Sequence, residues 1–146
     1  MFVLVRLSII LSLYIYVNPV FAGAERVLPL AGLKWQNRLL IAHVSNPTDV
    51  IETIKLWPRE QLEERKLRVF LIHKKQVAEL NPDATLTPVS LQHSEFDAIK
   101  LAQQTIVLIG LDGGVKARLP IAEFNPKIIN TIIDSMPMRM AESQFN

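Results

Sequence analysis

The chain contains no cysteine, and that absence excludes more than any motif it carries. Without a thiol there is no disulfide exchange, no thiolate nucleophile and no thiolate metal ligand. Disulfides cannot staple the fold, so stability must come from a core. The stretch from residue 23 to the end is long enough to bury one. The only Asn-x-Ser/Thr triplet is Asn46-Pro47-Thr48, whose central proline excludes glycosylation. No Gly-x-Ser-x-Gly elbow is present, which removes the most recognisable hydrolase signature. Charge is nearly balanced, 16 Lys and Arg against 14 Asp and Glu. A balance of that kind gives no general attraction to nucleic acid or an anionic membrane.

The first residues are informative. Arg6 is the only charge before Glu25, and Leu7 to Val17 is an uncharged, mostly apolar run, after which Pro19 breaks any helix. The run is shorter than the roughly 20 residues that span a bilayer. Val20 and Ala22 stand at the small-residue positions of a cleavage site. The pattern is that of a signal peptide over residues 1–22, cut after Ala22 or Ala24, and it leaves a single domain over residues 23–146. Export without cysteine or a glycosylation triplet points to the periplasm or secretion, with no membrane attachment beyond the leader.

Residues 23–34 read as an extended lead-in. Leu39–Val44, Val69–His73 and Ile106–Leu111 are continuous apolar runs of strand length, the pattern of strands buried on both faces. Between the first two, Asn46 or Thr48 can cap a helix bearing Val50, Ile51, Ile54 and Trp57, and Pro58 kinks it or starts a second, mostly solvated piece. Residues 74–92 read as loop. Ser94 and Asp97 open another helix, with Phe96, Ile99 and Ala102 toward a core. Asp112-Gly113-Gly114 is hairpin chemistry and pairs the third strand with Val115–Leu119. Asn125-Pro126 caps a last helix faced by Ile128, Ile129, Ile132 and Ile133. The order β-α-β-α-β-β-α predicts an α/β, thioredoxin-like fold, a mixed four-stranded sheet with flanking helices.

In that fold the chemistry sits where the first strand meets the first helix, a junction that here reads His43 to Asp49 without a thiol. His43 and His73 end neighbouring strands and are candidate binding residues, with Arg118 aimed at the same edge. A strand-end role with backbone or water partners is the simpler reading of the two histidines. Ser45 with His43 has a spacing that does not by itself make a nucleophile and base.

"WQNRLL" at 35–40, "DGGVKAR" at 112–118 and "IDSMPMRMAE" at 133–142 resemble a domain-of-unknown-function family also called P-DUDES. This is a peroxiredoxin-like, thioredoxin-fold domain of exported bacterial proteins, Equarin and sushi-repeat proteins. The resemblance implies fold and export, and no reaction. Among the matched residues Trp35 reads as a core lid, with its indole N–H bonded, and Arg38 as the partner of Asp134 or Glu142. Lys116 and Arg118 form either a solvated face or an anion-binding strip, with Val115 and Ala117 turned inward. Pro137 reads as fixing an extended turn that directs Met136, Met138 and Met140 to one side. Three thioethers can hold Cu(I), although Met140 falls where the family is more often basic, and methionine also fills irregular core edges. The sequence therefore predicts a non-catalytic binding module without cofactor, for a protein or small anionic ligand, with Arg38, Lys116, Arg118 and Arg139 as surface contacts. Periplasmic soft-metal binding by the methionines is the alternative.

Overall fold

The structure, a computed structural model, describes residues 26–27, 30–90 and 99–144. The leader and cleavage site expected from the sequence, and the helix start expected at Ser94 to Asp97, lie outside the described residues. The apolar runs form the centre of the sheet: β2 (Arg38–His43), β3 (Leu67–His73) and β6 (Thr105–Ile109). β2 pairs parallel with β3, Ile41 opposite Phe70, and antiparallel with β6, Ile41 opposite Val107. β7 (Val115–Pro120) adds an antiparallel edge to β6. The order β3-β2-β6-β7 is the predicted thioredoxin-like arrangement.

Among the described residues the sheet is larger than predicted, seven strands in the order β1-β5-β4-β3-β2-β6-β7. β1 is Arg26–Val27. The other additions, β4 (Gln76–Leu80) and β5 (Leu86–Ser90), fill the stretch read as loop. Of its turn-favouring residues, Asn81, Pro82 and Asp83 sit at one hairpin tip, whereas Pro88 lies within β5 opposite Ala78. At that tip Asn81 N–H donates to Thr85 O, and Asp83 Oδ1 accepts from the Thr85 N–H and hydroxyl. The strand signal was a short alternation, with Ala78 and Leu80 buried between half-exposed neighbours.

Strand alternation divides the core between the two faces of the sheet. One face joins Leu40, Ala42, Val69, Leu71, Ile106 and Leu108 to the helices. The other joins Leu39, Ile41, Phe70, Val107 and Ile109 to Leu33 and Ile99. Ile99 is buried as predicted, whereas Ala102 is exposed. α1 (Thr48–Leu56) is opened by Asn46, whose Oδ1 accepts from Thr48 N–H at 3.1 Å, and it buries Val50 and Ile54. It stops because Pro58 holds Trp57 in an extended conformation, and α2 (Arg59–Glu64) follows. In α3 (Pro126–Asp134) Asn125 accepts from Lys127 N–H at 2.8 Å, and Ile129 and Ile133 are fully buried. Ile128 is exposed, so the apolar face is narrower than predicted.

α4 (Pro137–Ser143) corrects the reading of the methionine segment. Pro137 is the first residue of a helix, where a missing N–H costs nothing, and holds Met136 extended before it. A helix turns about 100° per residue, so alternate residues diverge. Met136 is buried, while Met138 and Met140 are 39% and 48% exposed. No helix among the described residues is long and apolar enough to cross a membrane.

Candidate functional site

At the end of the sheet where thioredoxin-like chemistry would sit, the described residues bring together no nucleophile and base. His43 is in register with Ile72, which puts His43 and His73 on opposite faces and corrects the expected histidine pair. His73 Nδ1 lies 3.2 Å from Val44 O, the backbone contact of a strand-end histidine. Ser45 meets Gln104 through its backbone N–H, at 3.2 Å, and Asn46 is committed to Thr48. Arg118 lies opposite Val107, two residues in from the strand end, and donates to the carbonyls of Ile99 and Lys100. Val115, expected to turn inward, is 42% exposed because the register slips between Leu108 and Ile109. Among the described residues no group of three His, Cys, Asp or Glu is placed to hold a metal.

The opposite end is built differently. Arg38 begins β2 with its whole side chain buried, and Nη1 donates to Arg65 O at 2.9 Å and Glu142 Oε2 at 3.2 Å. Of the two carboxylates the sequence offered for Arg38, Glu142 is therefore the partner. Asp134 instead accepts both Nε and Nη2 of Arg65, at 3.0 and 2.7 Å, with Arg139 Nε at 3.5 Å. Arg139 also holds Glu64 by its carbonyl and carboxylate, and Lys66 reaches Glu142 at 3.2 Å. The expectation that Arg38 and Arg139 lie on the surface is thus corrected, since both are buried. A seven-residue helix cannot hold itself. These ion pairs, with Met136 in the core, fasten α4 to β2 and to the α2–β3 turn. Glu64, Arg65 and Lys66 were missed because their charge run reads as solvent-facing. Only the fold shows that it closes against a buried arginine.

Electrostatics agree with that role. Burial alone would raise the pKa of Asp134, but its bonds and charge interactions, first with Arg65 and then with Arg139, hold it below the usual carboxylate value. Glu142 is likewise depressed. Its desolvation is outweighed by the Lys66 bond and by the charge and bond of Arg38.

Trp35 is corrected as well. Its backbone adopts φ +67°, its N–H donates to Leu111 O at 2.6 Å, and the ring is 60% exposed beneath Lys34. The buried indole is that of Trp57, whose Nε1 has no partner among the described residues. Beside Leu111, Asp112-Gly113-Gly114 forms the predicted turn, with Gly113 at φ +78°, a conformation glycine adopts without steric cost. Asp112 accepts from Gly114 N–H at 3.0 Å and from Lys116 Nζ at 2.6 Å, and these contacts depress its pKa.

Between this turn and α4 is a cavity of about 180 Å³, walled by Arg38, Asp112, Lys116, Met136, Pro137 and Met138. Met140 lies outside the cavity and the buried Arg38 guanidinium opposes a soft cation, so the geometry does not assemble the three-methionine site. Two Arg38 donors, Nε and Nη2, have no hydrogen-bond partner among the described residues. A wider hollow of about 410 Å³ between β3, β4 and α2 is self-satisfied by comparison, because its Arg68 and Arg59 are paired with Glu79 and Glu63.

A parallel β2–β3 pair flanked by the antiparallel β6–β7 hairpin, with the distinctive site at the start of β2, defines a thioredoxin-like domain whose special residues lie away from the usual chemical edge. The chain belongs to the family described as Domain of unknown function (DUF4174), which it matches over residues 29–142. No curated protein matches it significantly. Among solved structures it is similar to a reduced 2-Cys peroxiredoxin from Plasmodium vivax. The two are 16% identical with a TM-score of 0.48, over 77% of this chain and 72% of that one.

Proposed function

We propose that the protein is an exported, non-catalytic binding module that recognises an anionic group at the Arg38 end of its sheet. The observation that carries this reading is the convergence of all three matched motifs on one cavity: Arg38 from the first, Asp112 and Lys116 from the second, Met136 to Met138 from the third. Arg38 lines that cavity and keeps two buried donors, Nε and Nη2, without a partner among the described residues, which supports a recognition role. The chain has no thiol, and among the described residues the opposite edge orients no base on a nucleophile. Export rests on the leader pattern of residues 1–22.

Two experiments test it. Fractionation of cells expressing the full chain, followed by intact mass, is expected to find a chain starting at Gly23 or Glu25 outside the cytoplasm. A full-length chain retained inside would overturn export. Backbone amide NMR with acetate and inorganic phosphate as probes is expected to move signals of Leu111 to Lys116 and Met136 to Arg139. Shifts confined to His43 to Asp49 would place function at the other edge.

A further inference from the structure

We infer that the Arg38 cavity is a carboxylate site, and that its ligand is a carboxylate on a short apolar stem, admitted by displacement of Met138. The inference rests on the binding-module reading above and gives it a ligand class. Arg38 uses only Nη1 for the protein, on Arg65 O and Glu142. The edge left over is Nε with Nη2, two parallel N–H groups whose spacing matches the two oxygens of a carboxylate. Charge points the same way. Among the described residues, the clasp pairs Arg38, Arg65, Lys66 and Arg139 with the carboxylates of Glu64, Asp134 and Glu142, one cation more than anions, with Lys66 half exposed to water. A buried cation lacking a full complement of acceptors is costly to keep, and an entering anion removes that cost.

The remaining walls set the rest of the ligand. Met136 and Pro137 are apolar, and Lys116 is already held by Asp112 at 2.6 Å. A second anionic group would find its cation taken, so a monoanion with an apolar stem fits better than a polyanion. A volume of about 180 Å³ is below the range of drug-sized pockets and suits a small acid. Nε and Nη2 are closed to solvent as the side chains stand. Entry therefore requires one wall to move. Met138, a wall residue that is 39% exposed and unbranched, is the side chain whose displacement the proposal requires.

The test is a titration of the full chain followed at the Arg38 Nε–H resonance and at the amides of Leu111 and Met138. Propionate, inorganic phosphate and sulfate are the probes. Acetyl-alanyl-alanine and its C-terminal amide serve to tell a free acid from a peptide terminus. The expected result is a saturable downfield shift of Nε–H with propionate, and with the peptide acid if a polypeptide terminus is the natural source, but not with the amide. Arg38→Lys should weaken binding about tenfold or more, because lysine lacks the fork. Met138→Ala should bind at least as tightly and exchange faster. That variant carries the test if Arg38→Lys does not fold. Shifts with phosphate or sulfate but not with any carboxylate would overturn the ligand class and leave the binding module standing. An Nε–H that ignores every anion, even in Met138→Ala, would make Arg38 a structural residue and overturn the site itself.

Discussion

The Arg38–Glu142 pair is asymmetric, and the asymmetry predicts that its two halves cost different amounts to remove. Arg38 is 1% exposed at the side chain and Glu142 21%. In Glu142→Ala the guanidinium stays buried with only Arg65 O to accept from it. Stranding one member of a buried ion pair costs about 3–5 kcal/mol, and the partial exposure of Glu142 lowers the figure here to about 2–3 kcal/mol. In Arg38→Met the remaining carboxylate is still paired with Lys66 at 3.2 Å and reaches water. That variant loses one bond to Arg65 O, about 1 kcal/mol, but also removes two unpartnered donors. Its net cost should be under about 1 kcal/mol. At about 4 °C per kcal/mol for a domain of this size, Glu142→Ala should melt about 8–12 °C lower and Arg38→Met less than about 4 °C lower. Far-UV circular dichroism melts at pH 7, with urea titrations as a check, measure both. An Arg38→Met variant as damaged as Glu142→Ala would refute the reasoning, because Arg38 would then contribute stability of its own. If the prediction holds, a residue nearly dispensable for folding is kept for another purpose, consistent with binding.

Asp134 and Glu142 have pKa values below the ordinary 3.8 and 4.5, so the unfolded chain takes up protons before the folded one does. Their stabilisation is complete above the unfolded values and is lost as pH falls through the lowered folded values. Urea midpoints should therefore hold down to about pH 5.5 and then decline, with an α4 probe such as the Met138 methyl changing with them. Trp57 buries an indole N–H that has no partner. Trp57→Phe should cost no more than about 1 kcal/mol in chemical denaturation, against about 3–5 for Trp57→Ala. On α3, Ile129→Ala should cost about 2–5 kcal/mol by the same measurement and the exposed Ile128→Ala within about 0.5, a contrast that checks the face of the helix.

The central strands were legible because their apolar runs have no competing reading, and the Asn125-Pro126 cap and Asp112-Gly113-Gly114 turn were legible because local geometry demands those residues. The β4–β5 hairpin was hidden by the turn residues of its own tip and by strands only half buried. The helical start at Pro137 was ambiguous, since proline opens helices as readily as it breaks them. The candidate site was legible only as separate motifs. Arg38 and Glu142 are far apart in sequence, and nothing local indicates that one arginine will be enclosed while Arg118 binds carbonyls at the surface. Trp35 shows the same limit, for which of two tryptophans is buried depends on packing rather than on the residue.

The most direct measurement is a high-resolution crystal structure of the chain grown with propionate. The expected result is the carboxylate lying across Nε and Nη2 of Arg38, with Met138 turned aside and the clasp of Arg65, Asp134, Arg139 and Glu142 intact. An Arg38 edge filled by ordered water or by protein, with propionate absent or seated beside His43 and Gln104, would contradict it.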